Sequence, residues 1–158
     1  MNWQEVCEHP SLQDLPFKIE TNERGEIVMA PVKVMHSAYQ GEIGFLLRST
    51  SQGGKVLAEC AIHTAKGTKV ADVAWASEER FERIKNEIEC SIAPEVCIEV
   101  LSLGNTVDEI QEKRQLYFAN GAQEVWVCRA DGEMHFYNTE GRVEQSLLFP
   151  AFPRQIKL

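Results

Sequence analysis

The chain lacks several features that would assign it a class at once. It has no run of about 18 apolar residues, so no membrane-spanning helix is expected. Its five cysteines, Cys7, Cys60, Cys90, Cys97 and Cys128, are odd in number and scattered, with no C-x-x-C pair. That spacing argues against a structural zinc site or a disulfide framework. Positive charge is also short: 16 basic residues against 24 acidic ones leave a net charge of −8. Phosphate contacts need a basic surface, so this balance argues against a simple nucleic-acid binder. The opening residues, Met1-Asn2-Trp3-Gln4-Glu5, are neither basic nor followed by an apolar core, so no secretion signal is read. Cys60, Cys97 and Cys128 lie in apolar runs and read as small buried hydrophobes. The expected compartment is therefore reducing, the cytoplasm.

What remains is an ordinary globular composition, 44% hydrophobic and 25% charged over 158 residues. That length suits one domain spanning residues 1–158 with a core of its own. Residues 1–18 show no clear period. Residues 18–29 suggest a hairpin turning at Asn22-Glu23-Arg24-Gly25 and ending at Pro31. Met35, Tyr39, Ile43, Leu46 and Leu47 follow helical spacing, which predicts a helix over 35–48. Strands are expected near 55–63 and 69–76, then a short acidic helix capped by Ser77, then a polar surface stretch over 82–92. Val96-Cys97-Ile98-Glu99-Val100-Leu101 is apolar on both faces, as in a central strand of a covered sheet. Thr106-Val107-Asp108-Glu109 is a capping box opening a helix that Gly121 stops. Strands follow at 124–128, around 135–137 and near 142–148, and the tail 149–153 reads as an irregular lid on the core. The order predicts an α/β fold with a mixed central sheet flanked by helices, of the kind αβββαβ, and with extra β-hairpins.

Three residues break these patterns. Glu99 sits in the most apolar strand, where an unpaired carboxylate costs several kcal/mol and has to be paired, protonated or bound to a metal. Asp72 interrupts a strand of small apolar residues. Lys113 borders the buried stripe of the helix that follows the Glu99 strand, within reach of that strand's carboxyl end. Two carboxylates on adjacent strands suit a hard divalent cation. Such a cation polarises a phosphoryl oxygen and acidifies a water, while a lysine stabilises the charge that develops. The same residues also admit plain readings. Glu99 and Lys113 form a buried ion pair in one, Asp72 is a turn or cap residue in another, and His36 is a satisfied helix histidine. Glu20 and Glu59 fit surface strand positions.

Several segments together carry a resemblance. They are Ile19-Glu20-Thr21-Asn22-Glu23-Arg24-Gly25-Glu26-Ile27-Val28-Met29-Ala30-Pro31, His36, and Val70-Ala71-Asp72-Val73-Ala74-Trp75. To these add Ala93-Pro94-Glu95-Val96-Cys97-Ile98-Glu99-Val100-Leu101-Ser102, Lys113 with Tyr117, and Gly121-Ala122-Gln123-Glu124-Val125-Trp126-Val127. From about residue 17 onward the chain resembles the Uma-two family of restriction-endonuclease-like proteins with the PD-(D/E)xK fold. The resemblance implies Asp72 and Glu99 as metal ligands for Mg2+ or Mn2+, Lys113 as catalytic lysine, and DNA as substrate. Leu101 stands where the motif's lysine is expected, which moves that role to Lys113 on the next helix. Ala71 replaces the motif's proline, and Ser102-Leu103 replaces a Ser-Pro pair. Glu20 and His36 match family positions whose roles chemistry alone does not assign, and they are weak candidates for substrate contact. The expected function is a metal-dependent endonuclease, with a homodimer as the arrangement that would cut two strands. The net charge of −8 keeps two other functions in view. One is an inactive interaction module on the nuclease fold, and the other is a hydrolase of small phosphoesters or nucleotides.

Overall fold

A computed structural model describes residues 1–158. Strand β1 (Phe17–Thr21) and strand β2 (Ile27–Pro31) form an antiparallel hairpin. A separate six-stranded sheet holds β3 (Lys55–Thr64), β4 (Gly67–Ala76), β5 (Val96–Val100), β6 (Glu124–Cys128), β7 (Met134–Asn138) and β8 (Gly141–Val143), in that order. Only β5 and β6 run parallel, joined across helix α4 (Val107–Ala119). This is the mixed, helix-flanked sheet that the order of elements predicts. No helix is long and apolar enough to cross a membrane.

Strand alternation divides the core into two layers. Val96, Ile98 and Val100 of β5 face one cluster with Trp126, Phe136 and the stripe Tyr39, Ile43 and Leu47 of helix α2 (Val34–Thr50). Cys97 of β5 faces the other cluster, with Ala74, Val125 and Tyr117 of α4. Glu99 shares the parity of Cys97, so its carboxylate is sent to the α4 side. Trp126 anchors the first layer, with the ring centroids of Phe152 and Phe149 at 4.6 and 5.8 Å. The irregular tail is thus fixed to the core by two aromatic contacts.

Three sequence expectations change. Residues 1–18 contain a short helix, α1 (Trp3–Glu8), closed by an Asn2–Glu5 capping box. A six-residue helix is too short to display a period. The stretch 82–92 is not wholly surface: Ile84 of helix α3 (Glu78–Ile84) and Cys90 are buried. The last strand stops at Val143. Beyond it the backbone is held by Glu124, which accepts from Ser146 Oγ at 2.6 Å and from the Leu147 amide at 2.7 Å.

Candidate active site

The site forms where two strands part. β4 and β5 pair at Val73 with Ile98, Ala74 with Cys97 and Trp75 with Val96, and pairing ends there. Continuing that register sets Asp72 opposite Glu99, on the same face of the sheet. The Val100 amide has no ladder partner on β4 and donates instead to Asp72 Oδ2 at 2.7 Å. Asp72 and Glu99 are 1% and 3% exposed, so neither charge is met by bulk water.

The open edge of β4 is closed by β1 through side chains rather than a ladder. Thr21 Oγ1 accepts from the Thr68 amide at 2.8 Å, and Glu20 Oε2 accepts from the Val70 amide at 2.7 Å. Burying those amides unpaired would be costly, so the alternate β4 amides of Thr68 and Val70 are met by acceptors on two consecutive residues of β1. Gly67 permits this approach. Its φ is +86°, left-handed backbone that favours glycine, and a Cβ there would lie 2.5 Å from the Asn22 carbonyl oxygen.

Lys18 and Glu20 share one face of β1, and both point into the cluster. Lys18 Nζ lies 3.0 Å from Asp72 Oδ1, 3.6 Å from Glu99 Oε2 and 4.0 Å from Glu20 Oε2. Helix α4 delivers Lys113 and Tyr117, one turn apart. Lys113 Nζ is 2.8 Å from Glu20 Oε2 and 3.5 Å from Glu99 Oε1. The Tyr117 hydroxyl donates to Glu99 Oε1 at 2.6 Å. From the first turn of α2, His36 Nε2 meets Asp72 Oδ2 at 3.3 Å, while its buried Nδ1 has no partner.

Three carboxylates therefore face two ammonium groups and one histidine. Burial alone would raise the Asp72 carboxyl, but hydrogen bonding to His36, the charge of Lys18 and the Val100 amide hold it well below the usual carboxylate range. Burial also works against the Glu20 anion, and Lys113 and Lys18 outweigh it, so its carboxyl is lowered. Glu99 goes the other way. Its complete burial, with Asp72 and Glu20 beside it, raises its carboxyl despite both lysines. Burial disfavours the Lys18 ammonium, yet Glu99, Asp72 and Glu20 hold it firmly charged. The hydrogen bond to Asp72 raises His36, against a smaller effect of burial.

The structure brings together all five residues singled out in the sequence: Asp72, Glu99, Lys113, Glu20 and His36. It adds Lys18 and Tyr117. The signal for Lys18 was its i, i+2 spacing to Glu20 on a strand, and for Tyr117 its position four residues after Lys113. Glu59, which the sequence suggests as a surface strand position, also stands at the site: it is a non-glycine residue in left-handed backbone at φ 52°, and the β3–β4 register sets it across from Asp72. Glu59 helps line the cavity of about 90 Å³ over the cluster. Strained residues of this kind gather at functional sites.

The donor set suits a hard divalent cation. Asp72 and Glu99 offer carboxylate oxygens that already converge on one positive charge, the Lys18 ammonium. No group of three His, Cys, Asp or Glu side chains comes together in a metal-holding arrangement. Asp72 and Glu99 are the two residues that would hold such an ion, and one or two carboxylates are what a magnesium-like ion takes from a protein.

Comparison with known proteins adds the following. Residues 3–156 match the model of the Uma2 (Uma-two) family, described as "Putative restriction endonuclease". The fold is similar to the crystal structure of a protein from Anabaena variabilis ATCC 29413 described as "a putative nuclease belonging to DUF820". The TM-score is 0.70 at 20% identity, covering 87% of this chain and 79% of the other. No curated protein matches the sequence. With nearly its whole length inside the family model, the chain belongs to the Uma2 family.

Proposed function

We propose that the protein is a metal-dependent endonuclease that hydrolyses DNA phosphodiester bonds at the Asp72–Glu99 cluster. The observation that carries this reading is the meeting of two buried carboxylates from facing strands with a lysine from α4. The descriptions of the family and of the structural neighbour support a nuclease-type activity. Bound Mg2+ or Mn2+ would polarise the phosphoryl oxygen and lower the pKa of a water. Asp72 and Glu99 would hold that ion. Lys113, aligned by Glu20 at 2.8 Å, presents positive charge to the phosphorus centre as negative charge builds there. Tyr117 fixes the Glu99 carboxylate through its hydroxyl, and His36 and the Val100 amide fix Asp72.

The same reading takes residues 1–158 as one nuclease-like unit, which pairs as a homodimer where both strands are to be cut. A cytoplasmic setting agrees with five cysteines that are odd in number and scattered along the chain. The net charge of −8 favours a second reading, hydrolysis of nucleotides or other small phosphoesters, for which an acidic surface is no obstacle.

The test is incubation with supercoiled plasmid and with single-stranded DNA, at low salt, in magnesium, manganese or chelator. Asp72→Ala and Lys113→Ala are run beside the parent. Metal-dependent nicking lost in both variants is the expected outcome. Cleavage of nucleotides but not polymers selects the second reading. A folded protein inert on every substrate refutes both and leaves an interaction module.

A further inference from the structure

Beside the carboxylate cluster lies a second cavity of about 270 Å³. It opens at the carboxyl ends of the parallel strands β5 and β6. Ser102 and Asn105 line both cavities, so the two are neighbours along the loop that follows β5. The proposed nuclease mechanism makes no use of the second one.

Its chemistry is specific. Arg114, the residue after Lys113 on α4, lays its guanidinium over the Tyr137 ring at 3.8 Å from the centroid. The buried Arg114 Nε has no hydrogen-bond partner. No carboxylate pairs with this guanidinium, although the chain carries 24 acidic residues. Arg129 stands exposed at the same cavity. The rim is apolar and bare to water, with Leu103 90% and Val107 83% exposed. An arginine stacked on a ring is preorganised to grip phosphate oxygens through its planar fork. Exposed aliphatic side chains at the rim match the flat apolar face of a base. A ligand that satisfies both is a nucleotide.

We infer that this cavity binds one nucleotide of a single-stranded segment, the one flanking the scissile phosphate. Arg114 and Arg129 take its phosphate, and Leu103 and Val107 cover its base. The place of this nucleotide beside the scissile phosphate rests on the nuclease reading, and its binding rests on the cavity alone. It also accommodates the acidic surface, because contact is confined to a few nucleotides rather than a long basic track.

The experiment measures binding of a short fluorescent single-stranded DNA to the full chain in chelator, so that no cleavage is required. Deoxyadenosine monophosphate, deoxyadenosine and inorganic phosphate serve as separate competitors. The monophosphate is expected to compete better than either part alone. Arg114→Gln is expected to weaken binding about ten- to a hundred-fold, the loss of a charge-assisted hydrogen bond. Arg114→Lys should recover only part of that, since it restores charge without the fork. Val107→Glu, at an exposed first-turn helix position that tolerates an acid, should weaken binding without loss of fold. With two phosphates engaged at most, log K should fall with log salt at a slope of about −1.4.

Undiminished binding by both Arg114→Gln and Val107→Glu overturns the inference even if the protein cuts DNA. So does a parent protein that binds none of the probes, or competition by inorganic phosphate equal to that of the monophosphate. Arg114-dependent nucleotide binding by a protein that never cleaves upholds the subsite and refutes the nuclease reading instead.

Discussion

Replacing Lys18 with methionine removes the one charge that touches Asp72 and Glu99 together while keeping most of the side chain's volume. At an effective dielectric of about 20, contacts at 3.0, 3.6 and 4.0 Å are each worth about 4–6 kcal/mol before desolvation. The ammonium, 14% exposed, gives back much of that in lost hydration. Removing one partner of such a buried array costs about 3–5 kcal/mol, because the remaining charges are left facing one another. In chelator, Lys18→Met should therefore melt about 6–20 °C below the parent, at about 2–4 °C per kcal/mol for this size. The carboxylates would then be free for another cation. If only about 1.4 kcal/mol of the released strain goes into binding, affinity for Mn2+ tightens about tenfold. Calorimetric titration of Mn2+ into the parent, Lys18→Met and Lys18→Arg, with melts at matched metal concentration, reads both effects. Lys18→Arg keeps the charge and should resemble the parent. Equal or weaker Mn2+ binding by a folded Lys18→Met would refute the idea that ammonium and metal compete for one position.

Other outcomes follow from the same geometry. Tyr117→Phe deletes the buried hydroxyl on Glu99 and should lower stability by about 1–3 kcal/mol in denaturant titration; no change would mean that the two lysines, Lys18 and Lys113, hold Glu99 without it. Gly67→Ala combines left-handed backbone, which costs about 1–2 kcal/mol, with a clash against Thr21 and Asn22. It should destabilise the chain by more than that sum's first term and weaken Mn2+ binding as β1 is pushed off β4. Asp72 and Glu20 have folded pKa values below their unfolded ones, so their stabilisation is present above about pH 4 and lost as pH falls through the folded values. In chelator, Asp72→Asn should flatten the acid limb of an unfolding curve. Glu99 has the opposite sign, a raised carboxyl that costs stability as pH rises through its folded value, so Glu99→Gln should gain relative stability toward neutral pH. An unchanged limb in both variants would contradict the charge balance described for the cluster.

Much of the site was legible because its charges break hydrophobic patterns. Glu99 and Asp72 interrupt apolar strands, and a buried carboxylate demands a partner. Lys113 follows from helical spacing on the next element. Glu20 and His36 were visible only through family resemblance, since a strand carboxylate and a helix histidine carry no anomaly of their own. Lys18 was missed because a lysine near two prolines and a hairpin reads as surface. Its burial arises only when β1 crosses the open edge of β4, a long-range event with no local signature. Glu59 was named as a surface candidate, but its left-handed backbone depends on the local course of β3 and cannot be read from residue type. The tail's anchoring by Glu124 was hidden for a similar reason: its partners lie 22 residues on, in a segment without periodicity.

The attachment of β1 has a consequence for how this cluster changes over time. The hairpin shares no backbone ladder with the six-stranded sheet, and side-chain acceptors at Thr21 and Glu20 join it to β4. Lys18 and Glu20 thus arrive on a module that is exchangeable at the level of a few side chains. Substitution at position 18 alone can swing the net charge between the strands while every ladder bond from β3 to β8 stays in place. The scaffold and the charge setting of the cluster are therefore carried by separate sets of bonds, one of backbone ladders and one of side chains.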